Sequence, residues 1–560
     1  MHRRIPFFLQ AGLRVALVLP AALAAAPASS TASSTAAPVS EAAASKAPAP
    51  SNAPLTQEQQ AVHVLNRLAF GPRPGDVERV ERMGVARWID EQLHPEAIPL
   101  PPALTARLEA LDSVNRGAGA ALGEFLELRK EARNEGSEAK EQRRRRQAQA
   151  TRQEAEARLL RAIDSPRQLE EVMVDFWYNH FNVFAGKDID RALVASYERD
   201  AIRPYALGSF RNLLGATATH PAMLVYLDNA QSSARGVNEN YARELMELHT
   251  LGVDGGYSQQ DVTELARMLT GWTFERKRLV ERGETFRFDA RRHDAGSKTW
   301  LGQQIAPDGQ REGEHALDVL AMHPTTARHV SRQLAQYFVS DDPPQALVER
   351  MARTWRETGG DIRSVLRTLF SSAEFMAAGN AGAKFKTPYQ FVVSAVRAGA
   401  VPVRNVEPLL GALNGLGMPL YGCQTPDGYK NTQEAWLNPD ALARRIGFAA
   451  ALANGKLGLD KAPAAATLVT LVPPAATNAA RAMAPTAANP GGGDAADMAA
   501  SMAPAPKPAA APAAPIALDP AQLQATLAEA ISPHTLDIAG RSPANLRAAM
   551  LLGSPDFMQR

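Results

Sequence analysis

Residues 238–272 read NENYARELMELHTLGVDGGYSQQDVTELARMLTGW, a stretch dense in polar side chains that still carries a helical apolar period. It reads as two short helices joined by a glycine turn. Gly252 stands where a left-handed C-cap residue is wanted, and Ser258 with Asp261 three positions on forms a near capping box for the second helix. At about 100° per residue, Tyr241, Leu245 and Leu248 share one arc with Ala242, Met246 and His249, so His249 points into the apolar face. Glu239, Arg243 and Glu247 fall on the opposite side as an i,i+4 ladder. Glu244 lies at the border, one turn after Asn240. A histidine aimed inward beside a carboxylate suggests a site without naming a reaction.

Helical signals dominate on both sides. Thr56 opens TQEQQAVHVLNRLAF, and about 117–163 reads as a long charged helix or hairpin containing Arg143 to Arg146, a solvated face because acidic residues flank it. Ser165-Pro166, with Gln168 at N3, caps SPRQLEEVMVDFWYNHFNVF, where Met173, Trp177, His180 and Phe184 form one stripe. The pattern changes at about 273–305, where TFE, ETFRFD and KTWLGQQI read as short strands of a small β-hairpin. The fold class is therefore mainly α: one large multi-helical domain over 55–462 with a β-hairpin appendage. An Ala/Pro/Met-rich stretch at 463–515 reads as a disordered insert, after which helices at 516–560 return to pack on the domain.

The chain has 560 residues and a formal charge of +2. That is ample for a large core, and it gives no electrostatic case for nucleic acid or an anionic membrane. Residues 1–28 read as a secretory signal peptide: Arg3 and Arg4, an apolar run interrupted by Arg14, then small residues. The twin arginines hint at the folded-protein export route, although Pro6 spoils the usual spacing. An Ala/Ser/Pro linker at 29–54 reads as disordered. Cys423 is the single cysteine, so an internal disulfide and a lipoprotein anchor are excluded. No later segment is long and apolar enough to span a membrane, and the expected location is periplasmic or secreted.

Three classes of side chain carry candidate chemistry. The candidate catalytic groups are His180, Glu244, Glu247 and His249. Asn240, Arg243, His220, His293 and Asp294 are candidate ligand contacts. His180, His249 and Glu244 are the candidate ligands of a divalent metal, assembled from distant segments, because HExxH and Cys/His clusters are absent. Each has a structural alternative. A lone histidine serves as a hydrogen-bonded core or capping residue, the carboxylates pair with Arg243 or Arg267, and Asn179 and Asn240 cross-link helices. No GxSxG elbow or phosphate loop occurs.

The stretch at 238–272 resembles the signature block of the bacterial family called domain of unknown function 1800. So do HVLNRLAFGPRPGDVERV, DFWYNHFNVF, YERDAIRPYALGSFRNLL, ATHPAMLVYLDN, HDAGSKTWLGQ, HPTTARHVSRQLAQYFVSDDPP, GGDIRSVLRTLFSSAEF, FKTPYQFVVSAVRA, TPDGYKNTQEAWLNPDALARRIGFA and LLGSPDFMQR, in that order. The resemblance implies an exported protein working beside a partner of the domain of unknown function 1501 family, and leaves the chemistry open. Two functions stand. One is an exported ligand-binding protein or enzyme with a buried His/Glu/Asn site. The other is a noncatalytic envelope or extracellular component acting with another exported protein.

The leader is expected to be cleaved between about Ala24 and Ala28, where small residues follow the apolar run. Intact-mass measurement of exported material checks this, and a full-length N-terminus would contradict it.

Overall fold

The computed structural model describes residues 54–131, 136–462 and 517–560. The expected signal peptide, all but Pro54 of the linker, and the 463–515 insert lie outside the described residues. Helix dominates the remainder, and no helix of the described residues is long and apolar enough to cross a membrane.

Local sequence explains most helix starts. Helix α1 (Gln57–Leu68) opens on a capping box: the Thr56 hydroxyl accepts from Gln59 N at 3.1 Å and Gln59 returns a bond to Thr56 N at 3.0 Å. The charged segment is two helices, α2 (Ala118–Glu131) and α3 (Ser137–Asp164). Arg145 and Arg146 on α3 are exposed, with Arg145 reaching Glu141 at 3.4 Å, as a solvated face requires. Further along, α3 turns a different face inward.

Helix α4 (Gln168–His180) departs from the expected cap. Ser165 Oγ accepts from Arg167 N at 3.1 Å, ahead of the helix, and Gln168 is its first residue. The Gln168 amide instead donates to the Ser165 and Ala162 carbonyls and accepts from Phe70 N, tying α1 to the α3–α4 corner. A buried amide with three backbone partners outweighs a regular N3 contact.

The signature block forms α5 (Asn240–Glu247) and α6 (Gln259–Met268), the latter with the expected Ser258/Asp261 capping box. The expected single hairpin is two antiparallel pairs. β1 (Trp272–Thr273) pairs with β2 (Arg287–Phe288), with helix α7 (Arg276–Arg282) between them. β3 (Lys298–Trp300) and β4 (Gln303–Ile305) form the true hairpin. Leu301 and Gly302 take φ of 47° and 73°, the left-handed pair that a two-residue turn of matching twist needs. Helix α2 packs on α7 so closely that a Cβ at Gly119 would stand 2.0 Å from Leu279 O. Helices α8 (Gln310–Met322), α9 (Pro324–Phe338) and α10 (Pro388–Ala398) follow, and α11 (Pro439–Ala453) packs against α12 (Ala544–Leu552).

A buried ionic cluster sits where α3, α4 and the turn at 197–205 meet. Arg158 of α3 donates to Asp175 at 2.6 Å and to Glu198 at 3.3 Å, with the rings of Tyr178, Tyr389 and Tyr421 around its guanidinium. Arg203 forks onto Glu171 at 2.8 and 3.0 Å and reaches Glu198 at 3.1 Å, and the Tyr421 hydroxyl donates to Glu198 at 2.9 Å. Burial pushes the Glu198 carboxyl up, but Arg158 and Arg203 outweigh it and hold it below its ordinary range.

Replacing Arg158 by Ala leaves Asp175 and Glu198 buried without their shared cation. Chemical denaturation at neutral pH should show a loss of about 3–5 kcal/mol. A loss below about 1 kcal/mol, the range of an exposed pair, would contradict this account.

Candidate functional site

The turn after α5 is built by unwinding. Glu244 O accepts from both Leu248 N and His249 N, and Met246 O from both Leu251 N and Gly252 N. Gly252 has φ of 86°, and a Cβ there would lie 2.7 Å from His329 Nδ1, so the glycine supplies both the left-handed bend and the close approach of α9. The turn drives His249 into the core, as its helical arc implied: its ring is 1% exposed, 5.0 Å from the Phe181 ring and 6.0 Å from that of His180.

His180, at the end of α4, donates from Nε2 to His249 O at 3.1 Å. Burial lowers its pKa to about 3, and lowers those of His249 and His329 as well. All three rings are therefore neutral near pH 7 and act as donors or acceptors, not as stored charges.

Beside them opens a cleft of about 220 Å³, lined among others by Asp175, Asn179, His180, Glu247, His329 and Gln333. The loop at 418–431 closes its other wall, with Asp427, Tyr429 and Lys430 on the lining. Asn179 fixes that loop through its main chain, donating to Tyr429 O at 2.8 Å and accepting from Tyr429 N at 2.7 Å. Glu244 is half-buried at the edge, its pKa raised by burial and then by the like charge of Glu247.

The structure thus brings His180 and Glu247 to one cleft, with His249 packed against His180. The other candidates lie elsewhere. Asn240 is the first residue of α5 and donates its N–H to Asn238 Oδ1 at 2.9 Å, while Arg243 closes on Glu239 at 3.0 Å. His220 is an N-cap, its Nδ1 accepting from Ala222 N at 3.2 Å, and His323 does the same for Thr325 N at 3.2 Å.

His293 and Asp294 belong to a separate cluster under the β3–β4 hairpin. His293 bridges Thr270 O at 2.9 Å and Glu312 Oε1 at 3.0 Å, and Lys298 meets Glu312 Oε2 at 2.6 Å. Glu312 also accepts from Asp308 N and Gly309 N, closing the start of α8. Arg267 forks onto Asp294 at 2.8 and 3.1 Å.

Among the described residues, no three of His, Cys, Asp and Glu stand where they could hold a metal ion. His180, His249 and Glu244 therefore do not form the three-ligand set expected from the sequence: His180 Nε2 is committed to a carbonyl. The residues that sequence reasoning missed are Asp175, Gln333, Asp427 and Lys430. His329, Gln333 and Gln336 recur at i, i+4 and i+7 along α9 and form a polar stripe on the cleft wall.

The family model described as Protein of unknown function (DUF1800) matches residues 63–559. The chain belongs to the DUF1800 family. No curated protein and no solved structure matches this DUF1800 chain, so its chemistry has to be read from the cleft itself.

The Arg267 fork holds the Asp294 carboxyl at about 2, below its ordinary 3.8. A depressed carboxyl stabilises the fold above its unfolded pKa, and that contribution disappears as pH falls through the folded value. Asp294→Asn should therefore be less stable than wild type at pH 6, with the gap closing between about pH 4 and pH 2. Urea titrations across that range measure it, and a gap independent of pH would contradict the assignment.

Proposed function

We propose that this DUF1800 protein is exported and binds a small polar ligand in the cleft between α4, the signature turn, α9 and the 418–431 loop. The observation that carries the reading is the convergence there of neutral His180 and His329 with Glu247 and Asp175 around open space. Export rests on the leader alone. An enzymatic role is within the reach of this donor set, since a neutral imidazole and a carboxylate on one wall suit proton transfer. A divalent metal forms no part of the proposal, because the expected three ligands do not converge.

A second reading, a noncatalytic envelope component acting with an exported protein of the domain of unknown function 1501 family, draws on Ile446, Ile538 and Leu546. Ile446 is exposed on α11, Ile538 on helix Pro533–Arg541 and Leu546 on α12, against which both of the other helices pack. Scattered apolar residues are ordinary on a surface and need no partner to explain them.

Val253 lies exposed on the cleft rim, so Val253→Trp should obstruct the mouth without disturbing the core. Purified mature protein is expected to carry, or to be stabilised by, a small molecule seen in native mass spectrometry or in thermal shift against a metabolite set. The variant should lose that response at an unchanged melting temperature. A wild type that answers to no small molecule, or a response that survives Val253→Trp, would overturn the proposal.

A further inference from the structure

Two neighbouring arginines lie inside the protein with no ion-pair partner among the described residues. Arg67, on α1, is 0% exposed, and Arg560 is 4% exposed. The Arg67 guanidinium donates once, to Asn380 O, and its Nε and Nη1 have no acceptor. Arg560 donates to Tyr337 O at 2.7 Å and lies 4.5 Å from the centre of the Tyr337 ring, while its Nε is also without a partner. No oxygen of the described residues, those of the Arg560 main chain included, accepts from these three atoms.

The nearby carboxylates are committed elsewhere. Asp341 accepts from Lys384 through one oxygen and from Gln433 N at 2.9 Å through the other. Asp175 is fixed on Arg158. Burial first, and then the like charge of Arg560, push the Arg67 guanidinium below its ordinary range. Arginine nonetheless keeps its proton inside a protein, so it cannot escape by neutralising as a buried lysine or histidine does. A buried charge without a counter-ion is strongly destabilising. Water would accept from the orphan N–H groups and leave that charge uncompensated.

A groove of about 560 Å³ runs over this corner. Asn66, next to Arg67 on α1, lines it, as do Ala378 and Ala381 on either side of the Asn380 carbonyl and Arg560 itself. Its other ionisable walls are His63, Glu529 and Asp556. His63 is neutral, because burial and then Arg67 lower its pKa to about 3. Glu529 and Asp556 disfavour a dianion such as phosphate. A carboxylate brings a single charge and about four acceptor sites on two oxygens, which suits orphan donors spread over two guanidinium groups. Chloride brings the charge on one centre.

We infer that this groove takes a small monocarboxylate whose oxygens accept from Arg67 and Arg560. It is a second ligand site, sharing no lining residue with the cleft beside His180.

Saturation-transfer NMR and calorimetric titration of the mature full chain with acetate, acetamide, chloride and inorganic phosphate at pH 7 test it. Acetate is expected to bind best and to lose roughly tenfold or more in affinity in Arg67→Met, as lost charge-assisted hydrogen bonds require. Ala381 is exposed on the groove wall, so Ala381→Trp should obstruct acetate without touching the core, which keeps the test open if Arg67→Met does not fold. Acetamide, chloride or phosphate binding as tightly as acetate would overturn the carboxylate. Failure of acetate to bind, or an affinity unchanged in a folded Arg67→Met or in Ala381→Trp, would overturn the site. Val253→Trp, at the other cleft, should leave acetate binding intact, and a loss there would place the acetate in that cleft and overturn the second site.

Discussion

The Arg158 guanidinium, shared between Asp175 and Glu198 inside the protein, is the interaction on which the arrangement of the rest depends. Two carboxylates on different elements cannot be buried together without a cation between them. Asp175 belongs to α4, and one of its oxygens is fixed on Arg158 while the same residue lines the cleft. Glu198 holds the Tyr421 hydroxyl, and Tyr421 enters the loop that forms the opposite wall. Both walls therefore hang from one cation. Tyr421 keeps a φ of 57°, a costly conformation for a bulky residue that persists where the surroundings over-determine it. Here they do so through the ring contact with Arg158 and the bond to Glu198.

This arrangement sets how the cleft's chemistry is read. Burial pushes the Asp175 carboxyl up against the pull of Arg158, so the group at the cleft floor is a structural anchor first. Of the rim residues, Asp427 and Lys430 are closed on each other at 2.6 Å, while Glu247 has no ion-pair partner among the described residues. The three histidines are neutral because burial disfavours their charged form.

Much of the architecture was legible because it is local. Thr56 before α1 and Ser258 with Asp261 before α6 announce their helices within four residues, and each cap is found where the pattern puts it; KTWLGQQI, read as a strand, is itself a hairpin turning at Leu301-Gly302. The inward aim of His249 followed from one helical arc. His220 and His323 show the limit of reading histidine as chemistry, since a His-Pro pair is also a helix start. The Arg158 cluster was hidden by composition: a helix rich in arginine and glutamate reads as a solvated face, while Glu154 and Arg158 lie on its buried side. The cleft was hidden by distance. Its walls join residues 250 positions apart through Asn179 and Tyr429, and nothing in either segment alone names the other.

That Asn179 contact has a consequence for diversity. The side-chain amide engages the N–H and the C=O of one loop residue, so it behaves like a neighbouring strand. Gly428 must stay bare beside it, because a Cβ there would fall 2.3 Å from Asn179 O. The wall is thus clamped through main-chain atoms that every amino acid except proline supplies alike. Side chains such as those of Asp427, Lys430 and Asn431 can be exchanged without loosening the clamp. The loop works as an interchangeable cassette: its position is inherited from the scaffold, while its selectivity is free to drift.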